Sequence, residues 1–416
     1  MSRKPVLLVL YDNGSMAPTR LAQAARRHDC TVVYALADSP HARSMAPVLG
    51  MTGTVLQATT DAQTQVLNEL RHHGPDGIVT FSEAQIPATA RLAAALGLPY
   101  HAPEDIDAIT TKDGQRARLA DAGVDTLRFR TVAHVDQVEE ALAHVGLPAV
   151  VKPVSGTSSR NTAIVATARE CRRLVVRLLT SGAGRTGEPA LVIEEFLAGR
   201  PVDPPWGDYL AADCVVSGGE VTPVFVTGKF TVAEPLRERG GYGGWTVVPE
   251  PELKEALELG YRAVRALNIR SGLVDFEIKL TERGPRVIEV NGRLGGWVDD
   301  LAMRSHGPDP AEIAVLSALG RRPEVPPLPH GGPIAFHYIV VPPPRAERVG
   351  SIHGVPALRR IPHVEHVHVH ARTGVSVDWR LGGSSGVAAV RGTTETHDQL
   401  AETVAEIEKT PWIDYA

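Results

Sequence analysis

The residue types that point most directly to chemistry lie in the segment LVDFEIKLTERGPRVIEVNGRLGGW, residues 273–297. It is typical of two alternating strands joined by a turn at residues 281–285. Because every second side chain of a strand shares one face, we expect Glu277 and Glu289 to converge, with Asn291 one step further along. Two carboxylates about 4 Å apart repel by roughly 4 kcal/mol at an effective dielectric near 20. The pattern therefore predicts a cation between them.

The ligand atoms in this segment are carboxylate and amide oxygens, without nearby His or Cys, which favours a hard octahedral ion. We therefore expect Glu277, Glu289 and Asn291 to hold Mg²⁺ that bridges ATP phosphates. Arg293 follows at the strand end, where a guanidinium can neutralise a transferring phosphoryl group or bind a substrate carboxylate in two-pronged fashion. The alternative is a plain hairpin with charge pairs to Lys279 and Arg286.

A second segment, PAVVKPVSGTSSRNTA, places Lys152 at the end of a predicted buried strand, directly before a loop of small residues. Backbone amides in such a loop can approach phosphate oxygens closely, and the lysine adds a point charge. The loop does not match the Walker motif G-x-x-x-x-G-K-[ST]. It is interpreted as a triphosphate-binding loop, with a plain surface turn as the alternative. Its small residues are Ser155, Gly156, Thr157, Ser158 and Ser159.

A third segment, ALVIEEFLAGR, is an apolar strand that ends in Glu194 and Glu195 and breaks at Gly199. Such a strand end offers hydrogen-bonding groups to the edge of a purine, with Phe196 and Leu197 as apolar neighbours. We expect an adenine site here. The alternative is a pair of solvated glutamates.

The elements that must position these residues follow from changes in hydrophobic periodicity. Up to about residue 103, apolar strands (6–10, 31–35, 77–80) alternate with helical patterns (21–27, 63–72, 88–96), which predicts a βαβ wind around a parallel sheet. No G-x-G-x-x-G follows the first strand, so a nicotinamide dinucleotide is not supported. A helix is predicted after Thr110 or Thr111 and closes at Gly123. Pro and Gly crowd residues 320–333, where we place a boundary before a β-rich region with a late helix at 396–409.

Composition limits the functional class. The 416 residues carry a formal net charge of -5, which gives no basic excess for nucleic acid. The cysteines, Cys30, Cys171 and Cys214, are scattered without metal-type spacing, which fits a reducing compartment. No apolar stretch approaches the roughly 20 residues of a membrane span, and the N-terminus does not match a signal peptide. A soluble cytoplasmic enzyme that acts on small molecules is the expectation.

Together these segments resemble the ATP-grasp superfamily, and the resemblance covers most of the chain. Its signatures are Lys112 opening a helix, VVKP with its small-residue loop, IEEFLAG, and DFEIKL followed by IEVNGR. The resemblance implies an α/β protein with an ATP-grasp fold of two α+β subdomains. A Rossmann-like domain (1–108) precedes the ATP-grasp domain (109–320, small subdomain about 120–197), and a C-terminal α+β, β-rich domain (321–416) follows.

The resemblance also assigns roles. Lys112 and Lys152 would contact ATP phosphates beneath the small-residue loop, and Glu194 would face adenine, with Glu195 and Leu197 contributing mainly backbone. The metal ligands would hold Mg²⁺ or Mn²⁺, and Arg293 would stabilise an acyl phosphate. An acid for the ribose hydroxyls is expected after Gly199, where Asp208 or Asp203 is available.

Within the superfamily, NGRLGGW is most similar to bacterial L-amino acid ligases, in which an Arg precedes a pocket-shaping Trp by four residues. Here these positions are Arg293 and Trp297, with Gly296 in the turn. The stretch GKFTVAEPLRERGGYGG would place Lys229 and Glu234 beside the site. Glycine-rich residues 240–245 are predicted to be the hinge of a closing lid, or else an exposed loop without a role.

The resemblance implies an ATP-dependent carboxylate-amine ligase that joins two amino acids through an acyl phosphate, as a homodimer. There are two alternatives. The first is carboxylation that begins from bicarbonate, as in biotin-dependent carboxylases, and the second is a non-catalytic nucleotide-binding protein. His366, His368 and His370 alternate along one predicted strand, where an exposed His-rich face is favoured over a metal site.

Overall fold

The N-terminal region is a parallel sheet flanked by helices, as the periodicity predicts. The computed structural model of the protein describes residues 3–56, 64–182, 185–244, 246–328 and 331–416. The strand order β3-β2-β1-β4 is parallel throughout. Residue 63 of the predicted helix 63–72 lies outside the described residues. The elements are β1 (Val6–Tyr11), α1 (Pro18–Arg27), β2 (Thr31–Leu36), α2 (Pro40–Gly50), β3 (Thr54–Leu56), α3 (Thr64–His72), β4 (Gly77–Val79) and α4 (Ile86–Leu96).

A helix pair connects this region to a small four-stranded antiparallel sheet of order β5-β10-β6-β7. Thr111 caps the second helix by accepting a hydrogen bond from the Gly114 N–H, as predicted. The elements are α5 (Ile106–Thr110), α6 (Lys112–Asp121), β5 (Phe129–Val132), α7 (Val138–Val145), β6 (Ala149–Pro153), β7 (Ala163–Val165), α8 (Ala168–Thr180), β8 (Ser181–Gly182), β9 (Arg185–Thr186) and β10 (Leu191–Glu195).

An eight-stranded sheet forms the largest layer. It begins with the predicted strand pair, and its first five strands have the order β15-β14-β11-β12-β13. The helix that follows β13 packs on this sheet over a buried core that includes Phe276 and Val290. The elements are β11 (Trp206–Ser217), β12 (Glu220–Phe230), β13 (Gly240–Gly243), α9 (Glu250–Ala266), β14 (Ser271–Thr281), β15 (Gly284–Asn291), α10 (Val298–Arg304) and α11 (Pro310–Ala318).

The C-terminal region is β-rich, as predicted, and its main strands extend the large sheet in the order β13-β16-β19-β18. Its core is shared with the preceding region, since Phe230 and Tyr242 pack in the same cluster as Phe336 and Leu400. The predicted domain limits stay a prediction. The elements are β16 (Ile334–Val340), β17 (Val349–Ile352), α12 (Val355–Leu358), β18 (Val364–Val369), β19 (Ala388–Thr394), α13 (His397–Lys409) and β20 (Ile413–Tyr415).

The prediction of a lid hinge at 240–245 is wrong for Gly240–Gly243. These residues form β13, a buried strand paired with β12 on one side and β16 on the other. The glycines allow close packing, because a Cβ at Gly240 would lie 1.9 Å from the His337 carbonyl oxygen and one at Gly243 would lie 2.5 Å from the Phe225 ring. Residue 245 lies outside the described part of the chain.

None of the helices within the described ranges combines the length and the apolar character that a membrane span requires.

Candidate active site

A cleft of about 1520 Å³ collects almost all of the predicted site residues. Its walls come from the N-terminal region, the small sheet, the large sheet and the C-terminal strands. Asp208 and Glu234 are not among its lining residues. The predicted residues that do line it are Lys112, Lys152, Ser155, Gly156, Thr157, Ser158, Ser159, Glu194, Glu195, Phe196, Leu197, Lys229, Glu277, Glu289, Asn291, Arg293, Gly296 and Trp297.

The two acid-bearing strands pair as the alternation predicts. In the antiparallel register of β14 and β15, Glu277 lies opposite Glu289, and Asp275 lies opposite Asn291. Residues directly opposite each other share one face of a sheet. Both pairs therefore face the cleft from the same surface, although a register irregularity follows directly after Glu277.

Two lysines neutralise these glutamates. Lys112 Nζ donates to Glu289 Oε1 at 3.0 Å, and Lys229 Nζ lies 3.6 Å from Glu277 Oε1 and 2.6 Å from Glu238 Oε1. Burial raises the pKa of Glu289, but the ammonium groups of Lys112 and Lys152 outweigh it, so the net pKa lies below the ordinary value. Burial raises the pKa of Glu277 to about 7. The neighbouring carboxylate of Glu238 acts in the same direction, and the ammonium group of Lys229 opposes the shift.

The donor set fits a divalent cation. Glu277 and Glu289 face each other in register, and Glu238 and Asp275 add further negative charge around them. Burial is the main cause of the raised pKa of Glu277, and Lys229, at 3.6 Å, opposes it only in part. Across the described residues, no group of three or more His, Cys, Asp and Glu side chains is arranged to hold a metal. An assignment to magnesium therefore rests on the two glutamates together with the Asn291 amide and non-protein ligands.

Arg293 lies just after β15, mostly covered from solvent, between acids from two regions of the fold. Its Nε lies 2.9 Å from Glu83 Oε2 and its Nη1 lies 3.5 Å from Asp275 Oδ2. Burial lowers the pKa of Arg293, but Glu83 and Asp275 outweigh it and raise the net pKa, so the group stays charged. Glu83 was not predicted from the sequence, because it precedes Arg293 by 210 positions and reaches it only through the packing of the N-terminal region.

Glu194, on β10 of the small sheet, belongs to a buried cluster of charged side chains. Its carboxylate accepts from Lys152 Nζ at 2.6 Å and from Arg116 Nε at 3.0 Å. Although burial opposes ionisation, Arg116 and Lys152 lower the pKa of Glu194 to about 2. Burial lowers the pKa of Lys152, although Glu194 pulls it upward. The sequence indicated Glu194 and Lys152, but not the contribution of Arg116 from α6.

Replacing Glu194 with glutamine is expected to lower the free energy of unfolding by about 3 kcal/mol, because Lys152 and Arg116 would be buried without their counter-charge. Urea unfolding at neutral pH measures this loss. The matched variant Glu195→Gln breaks only a pair with the half-exposed Arg128, and we expect a change below about 1 kcal/mol. Equal losses in the two variants would contradict the buried-cluster interpretation.

The same cluster has a pH signature. A carboxylate with a folded-state pKa of about 2 and an ordinary value of 4.5 stabilises the fold above pH 4.5, and this contribution is lost as the pH falls toward 2. The wild type should therefore lose more stability than Glu194→Gln across that window.

The predicted phosphate loop contacts a loop of the C-terminal region. Ser158 and Ser159 adopt left-handed conformations with φ of 57° and 54°. The Gly383 N–H donates to the Ser158 carbonyl at 2.8 Å. Gly382 has φ 59° and ψ -134°, and a Cβ there would lie 1.9 Å from the same Ser158 oxygen. The two loops thus hold each other's backbone in place, a contact that no local motif predicts.

Gly382→Ala is expected to raise the KM for ATP by about tenfold with little change in kcat, since strain of this kind amounts to about 1–3 kcal/mol. Steady-state kinetics with varied ATP measures the change. Gly374→Ala is the matched control, because Gly374 also has a positive φ (80°) but no atom of the described residues lies within 4 Å of its added Cβ. An unchanged KM in Gly382→Ala would exclude a role for this contact.

Two further predicted residues lie beside the cleft. Asp208 Oδ1 accepts from Lys279 Nζ at 2.6 Å, and Lys279 lines the cleft. Glu234 is exposed, whereas Glu238, four residues later, contacts Lys229. The ribose and catalytic assignments of Asp208 and Glu234 stay predictions.

The C-terminal strands contribute a wall that the sequence did not indicate. His337 on β16 is buried and stacks on Trp297, with ring centroids 4.7 Å apart and planes 22° from parallel. Burial, followed by the charge of Arg391, lowers the pKa of His337 well below its ordinary value. Predicting this contact from sequence would have required knowing that β13 joins β12 to β16. His366 and His368 lie exposed on the edge strand β18, as favoured, whereas His370 follows the strand and lines the cleft.

Comparison with known proteins agrees with this architecture. Residues 110–297 match the family model of the phosphoribosylglycinamide synthetase ATP-grasp (A) domain. The fold is similar to that of an L-amino acid ligase from Bacillus licheniformis, with a TM-score of 0.74 and 20% identity over 100% of both chains.

Two curated relatives are similar in sequence. Carnosine synthase 1 of Mus musculus is 24% identical over 77% of this chain and 40% of its own length. Alanine–anticapsin ligase of Bacillus subtilis (strain 168) is 24% identical over 56% of this chain and 51% of its own length. The chain thus spans about half, or less, of the length of these two relatives.

Proposed function

We propose that this chain, which has an ATP-grasp fold and matches an ATP-grasp domain model over residues 110–297, joins the carboxyl group of one amino acid to the amino group of another. ATP activates the carboxylate as an acyl phosphate, and ADP and phosphate are released. The observation that carries the proposal is the convergence of Glu277, Glu289, Lys112, Lys152 and Arg293 in one cleft. The names of the relatives, a carnosine synthase and two kinds of amino acid ligase, support amide formation between amino acids.

The nucleotide would lie between the two sheets. Lys112 and Lys152 would neutralise the phosphates, and the Ser155–Ser159 backbone would donate to their oxygens. Lys112 Nζ already contacts the Gly156 carbonyl at 3.0 Å, which joins this cation to the loop. Glu194, Glu195, Phe196 and Leu197 would surround adenine at the end of β10.

Glu277, Glu289 and Asn291 would hold Mg²⁺ or Mn²⁺, which, when bound, neutralises phosphate charge and orients the phosphoryl group for in-line transfer. The protein's own contribution is to fix these three ligands on adjacent strands. Lys112 and Lys229 compensate the glutamates until the nucleotide enters.

In the first step, an oxygen of the substrate carboxylate attacks the γ-phosphorus, and the bond to the ADP oxygen breaks. Arg293 faces the developing charge from the end of β15, where it stays protonated, and fixed charges of this kind supply most of the catalysis in phosphoryl transfer. In the second step, the amine attacks the acyl carbon, phosphate leaves, and the amine loses a proton. Water must be kept from the acyl phosphate, and the burial of Asp275 beside the mostly covered Arg293 favours this.

We further propose the cytoplasm as the setting and a homodimer as the assembly. The free, buried state of Cys30, Cys171 and Cys214 supports a reducing compartment. Two-fold dimers are the commonest form among soluble homo-oligomers.

The experiment is a screen of amino-acid pairs with ATP and Mg²⁺ for phosphate release, followed by mass analysis of the product. We expect release to require both amino acids and the product mass to equal their sum less one water. Release that requires bicarbonate, without an amine, would support carboxylation instead. No release with any pair, despite nucleotide binding, would support a non-catalytic role.

A further inference from the structure

Two buried aspartates line the cleft beside the predicted metal ligands. Asp213 on β11 lies directly opposite Asp275 on β14, and the two residues are 1% and 5% exposed. Asp213 Oδ1 accepts from the Gly295 N–H at 2.6 Å, and Asp275 Oδ2 accepts from Asn291 Nδ2 at 3.2 Å. Among the described residues, the second oxygen of each, Asp213 Oδ2 and Asp275 Oδ1, has no hydrogen-bond partner. These two buried carboxylate oxygens can therefore each accept a hydrogen bond from a ligand.

Two neutral side chains in the same cleft are also unsatisfied. Thr227 Oγ1 and His337 Nδ1 have no hydrogen-bond partner in the part of the chain that the structure describes, and their residues are 2% and 3% exposed. Native proteins rarely leave buried polar atoms unmatched. Thr227 lies opposite Ala211, two residues from Asp213 on the same sheet face, so its hydroxyl is an observation independent of the acidic pair. Together with the aspartates it points to a polar ligand in this part of the cleft.

The charge balance indicates what kind of ligand this is. The cation beside Asp275 is Arg293, at 3.5 Å, and Arg293 is shared with Glu83. Lys229 is held by Glu238 and Glu277. Both of these cations are thus shared with carboxylates outside the acidic pair. An ammonium group brings a positive charge and three donors, which matches two carboxylate oxygens and a hydroxyl.

Arg293 fixes where the rest of the ligand must lie. It contacts Asp275 directly, so a molecule that bonds both Arg293 and the aspartates carries a carboxylate and an ammonium group close together. A free amino acid has this arrangement. A simple carboxylic acid, or an amino acid with a blocked nitrogen, does not.

We propose that Asp213 and Asp275, together with Thr227, bind the ammonium group of the amino acid whose carboxylate is activated. This inference rests on the proposed ligase function and names the substrate class of its first step. The carboxylate of a substrate would then be activated efficiently only if the same molecule carries a free amino group. The residues that impose this requirement lie on strands of the large sheet.

The test compares three acids in the presence of ATP, Mg²⁺ and an amine that the pair screen finds active: L-alanine, L-lactate and N-acetyl-L-alanine. Wild type should use L-alanine in preference to the other two by about 10- to 100-fold, the value of a hydrogen bond to a charged group. In Asp213→Asn this preference for L-alanine over L-lactate should shrink by a similar factor, while the KM for ATP stays within about twofold. Asp76→Asn, on the surface of the N-terminal region, is the matched control.

Thr227→Val keeps the inference testable if Asp213→Asn fails to fold, because it removes one hydroxyl without altering charge. We expect it to lower the preference for L-alanine by several-fold, about the value of one neutral hydrogen bond. Calorimetric binding of L-alanine, without turnover, should weaken in both variants.

If Asp213→Asn and Thr227→Val fold and keep the wild-type preference for L-alanine over L-lactate, the ammonium site is overturned. It is also overturned if these variants lose Mg²⁺ affinity while that preference stays unchanged. Neither result would affect the ligase proposal, which fails separately if wild type releases no phosphate with any amino-acid pair.

Discussion

Glu289→Gln is expected to lower kcat/KM by about three orders of magnitude, because metal-assisted charge stabilisation supplies several kcal/mol of a phosphoryl-transfer barrier. The amide keeps the shape of the side chain but removes the charge that faces Lys112 at 3.0 Å. The pKa of Glu289 is held below its ordinary value, so the wild-type group is ionised at neutral pH and the substitution removes a full charge.

The fold should survive this substitution, since the Glu289 side chain is 27% exposed and solvent compensates part of the loss. Phosphate release and thermal unfolding are measured together. Glu312→Gln is the matched control: it breaks contacts with Arg27 and His28, none of which is a lining residue of the cleft, and should retain activity. Near-normal turnover of Glu289→Gln would remove this residue from the metal site.

Arg293→Lys has the second large expected effect, a fall in kcat of about 10²- to 10³-fold, the usual loss when one fixed charge-stabilising group is removed. Lysine keeps the positive charge, but it cannot reproduce the planar fork that contacts both Glu83 and Asp275. The KM for ATP should change little, because the nucleotide is bound mainly by Lys112, Lys152 and the small-residue loop.

Arg293→Met separates the catalytic role from the structural one. It leaves Glu83 and Asp275 without their shared cation, which should lower the free energy of unfolding by about 3–5 kcal/mol. Urea unfolding of both variants, alongside kcat, distinguishes the effects: the lysine variant should be stable and slow, and the methionine variant unstable and slow. A lysine variant with wild-type kcat would show that the guanidinium geometry is not needed.

The sequence predicted those parts of the site that local pattern determines. Strict alternation around Glu277 and Glu289 specified one strand face, and the observed register places the two side chains opposite each other. Lys152 at the end of β6 and the Thr111 cap before Lys112 are likewise fixed by a few neighbouring residues. The ATP-grasp fold was recognised from the same short segments.

Contacts between distant segments were beyond this reasoning. Glu83, Arg116 and His337 reach the cleft from separate elements, and no periodicity within an element specifies its neighbour across the fold. The glycines of β13 show the same limit. Their composition suggested mobility, whereas the pairing with β12 and β16 shows that glycine is needed because neighbouring backbone and aromatic atoms approach closely.

The most direct test of the metal-nucleotide site is the binding of a non-hydrolysable ATP analogue, measured by calorimetry with Mg²⁺ and with EDTA. Wild type and Glu312→Gln should each bind about tenfold more tightly with Mg²⁺, a usual size for coupling between two ligands. In the double variant Glu277→Gln, Glu289→Gln, this gain should disappear while metal-free binding persists. A full magnesium gain in the double variant would contradict the assignment of these two glutamates to the metal.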